Sequence, residues 1–245
     1  MSKTKSELVT AAQASLKGKW GVIIGAILIN TIITGACFKL PYVARFAWLV
    51  INGPLELGMA ILALSVCRNE DSKIELLFKG FNHFVTALVA YLLRLIYVIL
   101  WSLLFIVPGI IKALSYSMTM YIIADDRTIS AQAAITKSKK MMEGNKGRYF
   151  LLMLRFISVL IIAFIIFISV AFSAFYTILL GAISGSLDYS NLISFLTGVG
   201  SFFVLIPISL IVMLIYIFWL VPLMKICSAT FYQDLKAKEI EVSIN

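Results

Sequence analysis

The chain has 245 residues, of which 61% are hydrophobic and only 13% are charged, and its formal net charge is +9. Soluble domains carry about 25% charged residues, so this composition, with a mean hydropathy of +1.00, excludes an ordinary water-soluble protein. The apolar runs are continuous rather than alternating, which favours spanning helices over a β-barrel. We therefore predict an all-α fold: a polytopic membrane helical bundle of about six spans with interfacial amphipathic helices, forming one integral membrane domain.

Residues 1–19 are predicted to form an interfacial helix. Leu8, Ala12 and Leu16 are spaced four residues apart and are surrounded by lysines, a pattern typical of a weak amphipathic helix on a membrane surface. The first span is expected over residues 21–38, which begin shortly after this helix.

The second span has two interpretations. Residues 39–53 form either an outer loop or the first half of a span that is broken at Gly53 and Pro54. We favour the broken span, because residues 54–66 alone provide only about 20 Å of helix. In that arrangement the carboxylate of Glu56 lies at mid-depth in the membrane.

The polar segment 67–80 is predicted to contain a short helix on the membrane surface. Ser72 and Glu75 have the spacing of a capping box, which marks the start of a helix. This helix leads into the third span, 81–107, which carries Arg94 near its centre.

A corner at Pro108 and Gly109 is predicted to turn the third span back on itself. Pro108 lacks an N–H and disfavours helix at Val107, while Gly109 tolerates unusual backbone angles. The returning span, 110–124, provides only about 22 Å of helix, so the corner is submerged or the bilayer is locally thinned. Residues 20–124 thus hold four spans.

Residues 125–148 are predicted to form a cytoplasmic amphipathic helix. Asp125 and Asp126 are interpreted as favourable negative charges at its start, the alternative being a divalent-cation site. One arc of the helix carries Ala131, Ala134, Ile135, Ser138, Met141 and Met142. The basic group consists of Lys137, Lys139, Lys140, Lys146 and Arg148. We expect this group to contact anionic lipid headgroups, with docking of a regulatory partner as the alternative.

Two further spans are predicted within residues 149–235, followed by a polar tail over 236–245. The fifth span belongs to an apolar run that reaches residue 180, and at that length it must tilt, kink or protrude. A Gly/Ser-containing loop over 181–200 separates it from the last span.

Charge counting predicts the orientation. With six spans, 16 of the 21 Lys and Arg residues fall on one side, in the N-terminus, 68–79, 127–148 and the C-terminal part. Because positive residues favour the cytoplasmic side, both termini are predicted to be cytoplasmic. The positive net charge is therefore explained by membrane topology without a nucleic-acid partner. Anionic lipid headgroups on the inner leaflet are the expected partner.

Ionisable residues at bilayer depth are costly and are usually paired or functional. We predict an ion pair between Glu56 and Arg94, with Arg155 as the alternative partner of Glu56. These three residues are the candidate intramembrane polar site. The pair is either a packing device that fixes helix register or a site for a headgroup, a peptide or an ion; in a third interpretation the side chains simply snorkel.

No catalytic, cofactor-binding or metal-binding residue is predicted. The only histidine, His83, lies at an interface without a Ser or Cys partner, and Cys37, Cys67 and Cys227 lack CxxC spacing. Walker, HExxH, GxSxG and zinc-ligand patterns are absent from the sequence.

Several segments resemble a known bacterial membrane-protein family. They are Gly53–Gly58, Leu77–Phe81, Trp101–Met118, Ser138–Lys146 and Ala229–Leu235. In these residues the chain is similar to the family called domain of unknown function 975. It departs from the family pattern in having Met120 for proline, Asp126 for asparagine, Gly147 for tryptophan, Met153 for aspartate and Arg155 for serine. The resemblance implies an integral membrane protein of Gram-positive-type bacteria, distantly similar to the membrane portion found beside glycerophosphodiester phosphodiesterases, and supplies no established activity.

These observations lead to two functional expectations. The first is a non-enzymatic protein of the bacterial plasma membrane, accessory to membrane or envelope homeostasis through contacts with lipids, another membrane protein or a second copy of itself. Bacteriocin immunity is one specific form of this role. The alternative is a small transporter or lipid-handling protein that uses Glu56, Arg94 and Arg155. A water-accessible cavity at Glu56 favours the alternative, whereas a packed centre favours the first.

Overall fold

A computed structural model of the protein describes residues 4–39, 41, 46–184, 193, 200 and 207–244. Within these ranges the chain forms helices and turns without a strand, which confirms the all-α prediction. The α-helices are α1 (Lys5–Leu16), α2 (Trp20–Phe38), α3 (Ala47–Cys67), α4 (Phe84–Leu104), α5 (Ile106–Ser115), α6 (Thr119–Asp125), α7 (Ala131–Met141), α8 (Lys146–Ser184), α9 (207–215) and α10 (Val221–Ile244). A 3₁₀ helix covers Ile74–His83, and a π-helical turn covers Tyr216–Leu220.

Among the residues that the structure describes, six helical segments are long and apolar enough to cross a membrane, as predicted. They are Trp20–Cys37, Ala47–Cys67, Ile74–Leu104, Ile106–Asp125, Lys146–Ser173 and Pro207–Glu241. The chain divides into two compact units. The first comprises Met1–Leu152 and Pro222–Asn245, and the second comprises Met153–Val221.

Helix α3 is the core of the first unit. Every residue from 57 to 66 is buried, and the helix packs against α1, α2, α4, α6 and the 3₁₀ helix. The prediction of a break at Gly53 and Pro54 was wrong, because α3 runs through Pro54 without interruption. A Cβ on Gly53 would lie 2.8 Å from the carbonyl oxygen of Ala87 and 2.9 Å from the Cα of Leu88. This glycine therefore permits close packing of α4 on α3, and a proline inside a spanning helix is tolerated.

The 3₁₀ helix packs along the middle of α3. A Cβ on Gly58 would overlap the carbonyl oxygen of Leu77, and a Cβ on Gly80 would overlap that of Pro54. Two glycines thus allow the two backbones to touch. We call this contact the α3 seam.

The predicted capping box at Ser72 and Glu75 was also wrong. The 3₁₀ helix begins after Lys73 without a side-chain cap, and Ser72 Oγ instead donates to the carbonyl oxygen of Glu70 at 3.1 Å. A capping box does occur at the N-terminus of α1, where Thr4 and Glu7 bond to each other's backbone N–H groups. Ser72 therefore forms a hydrogen bond within the loop between α3 and the 3₁₀ helix and does not cap a helix.

The chain reverses at Phe105, before the predicted Pro-Gly corner. Phe105 is extended, with φ −161° and ψ 151°, whereas Pro108 and Gly109 lie in the first turn of α5. A proline is favourable there because the first N–H groups of a helix have no partner within the helix. Gly109 packs against the side chain of Ser102. A glycine at this position therefore allows α5 to approach α4 closely, and it is not needed for an unusual backbone angle.

Five consecutive large apolar residues at this reversal are exposed by 62–78% of their surface. We call them the hairpin tip: Leu103, Leu104, Phe105, Ile106 and Val107. The tip's backbone is partly satisfied internally, since Phe105 N–H donates to Trp101 and the Phe105 carbonyl accepts from Gly109 N–H, both at 3.3 Å. An apolar tip with internally bonded backbone suits a lipid environment.

The fourth span is split, so the prediction of one helix over 110–124 was wrong. Residues 116–118 form a turn between α5 and α6. The buried Ser138 Oγ of α7 donates to the Ser115 carbonyl at 2.9 Å and accepts from Met118 N–H at 3.2 Å. One side chain thereby satisfies two backbone groups that the break would leave without partners.

The apolar faces of α1 and α7 are buried inside the first unit. Leu8, Ala12 and Leu16 are fully buried, and α1 packs on α3. On α7, which packs on α4, α5 and α6, the buried residues are Ala131, Ala134, Ile135, Ser138 and Met141, and Met142 just beyond the helix is buried too. These apolar side chains contact protein rather than remaining free for lipid.

The C-terminal residues differ from the predicted tail. Helix α10 continues to Ile244, and it buries Phe231, Tyr232 and Leu235 in the first unit. Of the predicted loop over 181–200, residues 181–184 belong to α8, and all the others except 193 and 200 lie outside the described residues.

Candidate functional site

The structure contains the predicted ion pair: Arg94 Nη2 donates to Glu56 Oε2. Glu56 is near the middle of the 21-residue α3, and Arg94 is near the middle of the 21-residue α4. The two side chains are 32% and 18% exposed, so the pair is partly shielded. Pairing within these apolar helices lowers the cost of placing either charge there.

A second polar contact lies one turn before the ion pair on both helices. Asn52 Nδ2 donates to Tyr91 Oη at 3.4 Å, and the Arg94 guanidinium carbon lies 5.7 Å from the centroid of the Tyr91 ring. The close approach at Gly53 brings α3 and α4 within reach of these side chains. The guanidinium is thus held by a carboxylate and an aromatic face, and sequence reasoning missed the Asn52–Tyr91 contact.

A cavity of about 30 Å³ adjoins Glu56. It is lined by Glu56, Met59, Ala60, Ser117, Met120, Tyr121 and Lys225. The cavity is located at the break between α5 and α6, and α10 contributes Lys225. Its volume suits one or two water molecules, whereas ligand pockets for drug-sized molecules measure roughly 300–1,000 Å³.

Arg155 belongs to the second unit and lies on α8 with an exposed side chain. Its carbonyl oxygen accepts a hydrogen bond from Ser158 Oγ at 3.0 Å. Of the three predicted site residues, the structure pairs Glu56 with Arg94, which is the preferred of the two predicted pairings.

The predicted basic group divides into lysines and one arginine. Lys139 and Lys140 are exposed on α7, while Lys137 and Lys146 are half-buried. Arg148 Nη2 donates to Asp234 Oδ2 at 2.7 Å, and its guanidinium carbon lies 5.1 Å from the centroid of Phe231. Arg148 therefore fastens α10 to the start of α8.

Asp125 is the centre of a network that sequence reasoning missed. Its carboxylate accepts from Arg68 Nη2 at 2.5 Å, from Tyr232 Oη at 3.0 Å and from Lys236 Nζ. When the side-chain amide of Gln233 is oriented with its oxygen toward Arg68, that oxygen accepts from Arg68 Nη2 and Nε at 2.9 and 2.8 Å. We call this network the Asp125 latch, because it joins α6, the end of α3 and α10. The sequence did contain one signal for this network: Tyr232 and Lys236 are four residues apart, a spacing that places two side chains on one face of a helix.

Asp125 and Asp126 were predicted to lie at the start of the following helix, and this prediction was wrong. Helix α7 begins at Ala131 and is capped by Ser130, whose Oγ accepts from Ala133 N–H at 3.3 Å. Asp126 accepts from Thr128 Oγ1 at 2.6 Å and from Thr128 N–H at 3.0 Å, and these hydrogen bonds lower its pKa. Within the described ranges, no cluster of three or more potential metal ligands occurs.

The sequence matches the family described as "Protein of unknown function (DUF975)" over residues 1–115 and 106–239. These two segments cover nearly the whole chain. The chain belongs to this family. Comparison of the DUF975 chain with curated proteins and with solved structures gave no match.

The segments on which the resemblance rests have identifiable packing roles in this DUF975 protein. Gly53–Gly58 and Leu77–Phe81 form the α3 seam, and Trp101–Met118 holds the hairpin tip and the break before α6. Met120, found where the family pattern has proline, lies within α6 and lines the cavity beside Glu56.

Proposed function

We propose that this DUF975 protein is a non-enzymatic, multi-pass protein of the bacterial plasma membrane with both termini in the cytoplasm. It acts as an accessory protein in membrane or envelope homeostasis through contacts with anionic lipids or with another membrane protein. The observation that carries this proposal is the small space beside the ion pair: Glu56 is paired with Arg94, and the adjacent cavity is only about 30 Å³. That space admits neither a headgroup nor a peptide.

Contacts between distant basic segments support the topology. Lys19 Nζ donates to the Glu70 carbonyl at 2.9 Å, and Arg68 and Lys236 both bind Asp125. The contacts therefore bring Lys19, Arg68 and Lys236, from three of the predicted basic segments, to one end of the first unit. The positive-inside rule assigns that basic end to the cytoplasm.

The lysine face of α7 is the proposed lipid contact. Because the apolar face of α7 is buried in protein, its attraction to a membrane is electrostatic, worth about 1 kcal/mol per lysine near an anionic surface. Lys137, Lys139 and Lys140 supply this charge, while Arg148 is engaged by Asp234.

Native mass spectrometry of protein extracted with its lipids tests the proposal. We expect the wild type to retain phosphatidylglycerol, and a variant with Lys137→Gln, Lys139→Gln and Lys140→Gln to retain at least about tenfold less. Lys39→Gln, on the predicted opposite side, is the matched control and should retain the wild-type amount. Equal retention by all three proteins contradicts the lipid contact, and a co-purifying membrane protein identifies the other proposed partner class. Bacteriocin immunity is tested separately by the sensitivity of a deletion strain.

A second candidate is a small transporter or lipid-handling protein. It is favoured by the break between α5 and α6, which lies beside the mid-helix ion pair, because transporter sites are often built at discontinuous helices. Flux or lipid-scrambling measurements in proteoliposomes separate the two candidates. Activity that is lost in Glu56→Gln supports the second, and equal leakage from protein-containing and protein-free vesicles supports the first.

A further inference from the structure

We propose that the cavity beside Glu56 binds an ordered water molecule, which links the second oxygen of Glu56 to Lys225 and Ser117. This site gives Glu56 two cationic partners, Arg94 directly and Lys225 through water. It also connects α10 to α3 close to the centre of the first unit.

The polar groups around the cavity have unused hydrogen-bonding capacity. Arg94 engages Oε2 of Glu56, and in the described part of the chain neither Oε1 of Glu56 nor Nζ of Lys225 has a direct partner. Ser117 Oγ donates to the Leu114 carbonyl at 2.8 Å, so its lone pairs can accept. A water can donate to Glu56 and Ser117 and accept from Lys225, which gives it the three bonds that buried waters usually make.

The size and the walls of the cavity suit this occupant. About 30 Å³ exceeds the roughly 10–15 Å³ that one water needs, and it is far too small for a lipid headgroup. The remaining walls are Met59, Ala60, Met120 and Tyr121, which are 3%, 5%, 2% and 8% exposed. A mixed polar and apolar enclosure of this kind holds water in a defined position, whereas an apolar cavity stays dry.

Hydroxyl-radical footprinting by X-ray radiolysis tests the site, because radicals formed from a bound water oxidise the side chains beside it. Met59 and Met120 line the cavity, and Met142, fully buried in the same unit, provides an internal control. We expect Met59 and Met120 to be oxidised at least about fivefold faster than Met142 despite similar burial. Equal oxidation rates for the three methionines would overturn the proposal.

Two variants make the test specific to the cavity. Ala60→Leu should fill the space, and Ser117→Val should remove one hydrogen-bonding group from its wall. In either folded variant, judged by its elution on size exclusion, oxidation of Met120 should fall to the rate of Met142. Rapid oxidation of Met120 that persists in both variants contradicts the site. The result is independent of phosphatidylglycerol retention, so either proposal can fail alone.

Discussion

Single glycines determine how closely the elements of the first unit approach one another. At Gly58 and Gly80 the space for a Cβ is already occupied by backbone atoms of the opposing segment. A larger residue must therefore separate α3 from the 3₁₀ helix, since a backbone atom cannot rotate away as a side chain can.

Gly58→Ala should destabilise the protein strongly, by about 3 kcal/mol or more, because the new methyl group overlaps the Leu77 carbonyl. Thermal unfolding in detergent, followed by size-exclusion fluorescence, measures the effect. Gly35→Ala is the matched control: Gly35 also lies in a spanning helix, but a Cβ there meets no atom within 4 Å. Equal unfolding temperatures for the two variants would disprove the steric role of the seam.

The Glu56–Arg94 pair should couple energetically. Glu56→Gln and Arg94→Met should each lower the free energy of unfolding by about 2 kcal/mol, because each leaves a partly shielded charge without its partner. The double variant should lose about 1 kcal/mol less than the sum of the single losses. Steric trapping in bicelles provides the four measurements, and purely additive losses would show that the side chains do not interact.

The sequence carried enough information to predict this ion pair, because two opposite charges at similar depth in apolar helices are best accommodated together. The contact between Asn52 and Tyr91 could not be predicted, since neither residue is costly enough alone to demand a partner. It depends on the distance between α3 and α4, which is set by Gly53.

Side chains of one helix form hydrogen bonds and ion pairs that hold another helix in place. Ser138 bonds two backbone groups at the break between α5 and α6, and the Asp125 latch holds α10. Pattern analysis located the six spans but misplaced the ends of several of them. The Pro-Gly pair lies within the first turn of α5, because the reversal needs only the extended residue Phe105.

Asp125→Asn should release α10, because Arg68 and Lys236 lose the carboxylate that they share. We expect tryptic cleavage at Lys236 and Lys238 to accelerate about tenfold, which corresponds to a loss of about 1.4 kcal/mol of docking free energy. Asp126→Asn is the control, since the exposed Asp126 bonds to Thr128 in its own turn. Indistinguishable cleavage rates for the two variants would refute the latch.

The hairpin tip should lie in hydrocarbon and not in water. Helix α5 is ten residues long, about 15 Å, and it ends at the break beside the mid-helix Glu56, so the tip at its start lies about half a bilayer away from that level. A spin label at Phe105→Cys should be relaxed by oxygen more than by a polar nickel complex, and a label at Glu70→Cys should show the reverse. Preferential relaxation by nickel at position 105 would place the tip in water.

For the whole molecule, the sidedness of the basic end is the property that the charge pattern predicts. Lys139→Cys should react with a membrane-impermeant maleimide in inverted vesicles, and Lys39→Cys should react in right-side-out vesicles. The opposite result would reverse the topology. Reaction of both cysteines from one side would contradict the number of spans between them.

Composition predicted the fold class and the six spans correctly, because apolar length alone decides which helices can cross a bilayer. The docking of α10 could not be predicted, since Gln233 and Lys236 are as polar as a solvated tail and acquire partners only in the folded first unit. Buried apolar faces on α1 and α7 likewise depend on neighbours that periodicity does not identify.

The α3 seam has a consequence for biogenesis. Its two contacts join residues 19 and 26 positions apart, so it can close while the nascent chain is still being synthesised on the ribosome. The Asp125 latch joins residues 111 positions apart and must wait for α10. Translation that stops after α4 should therefore leave the seam already formed, whereas the latch requires a nearly complete polypeptide.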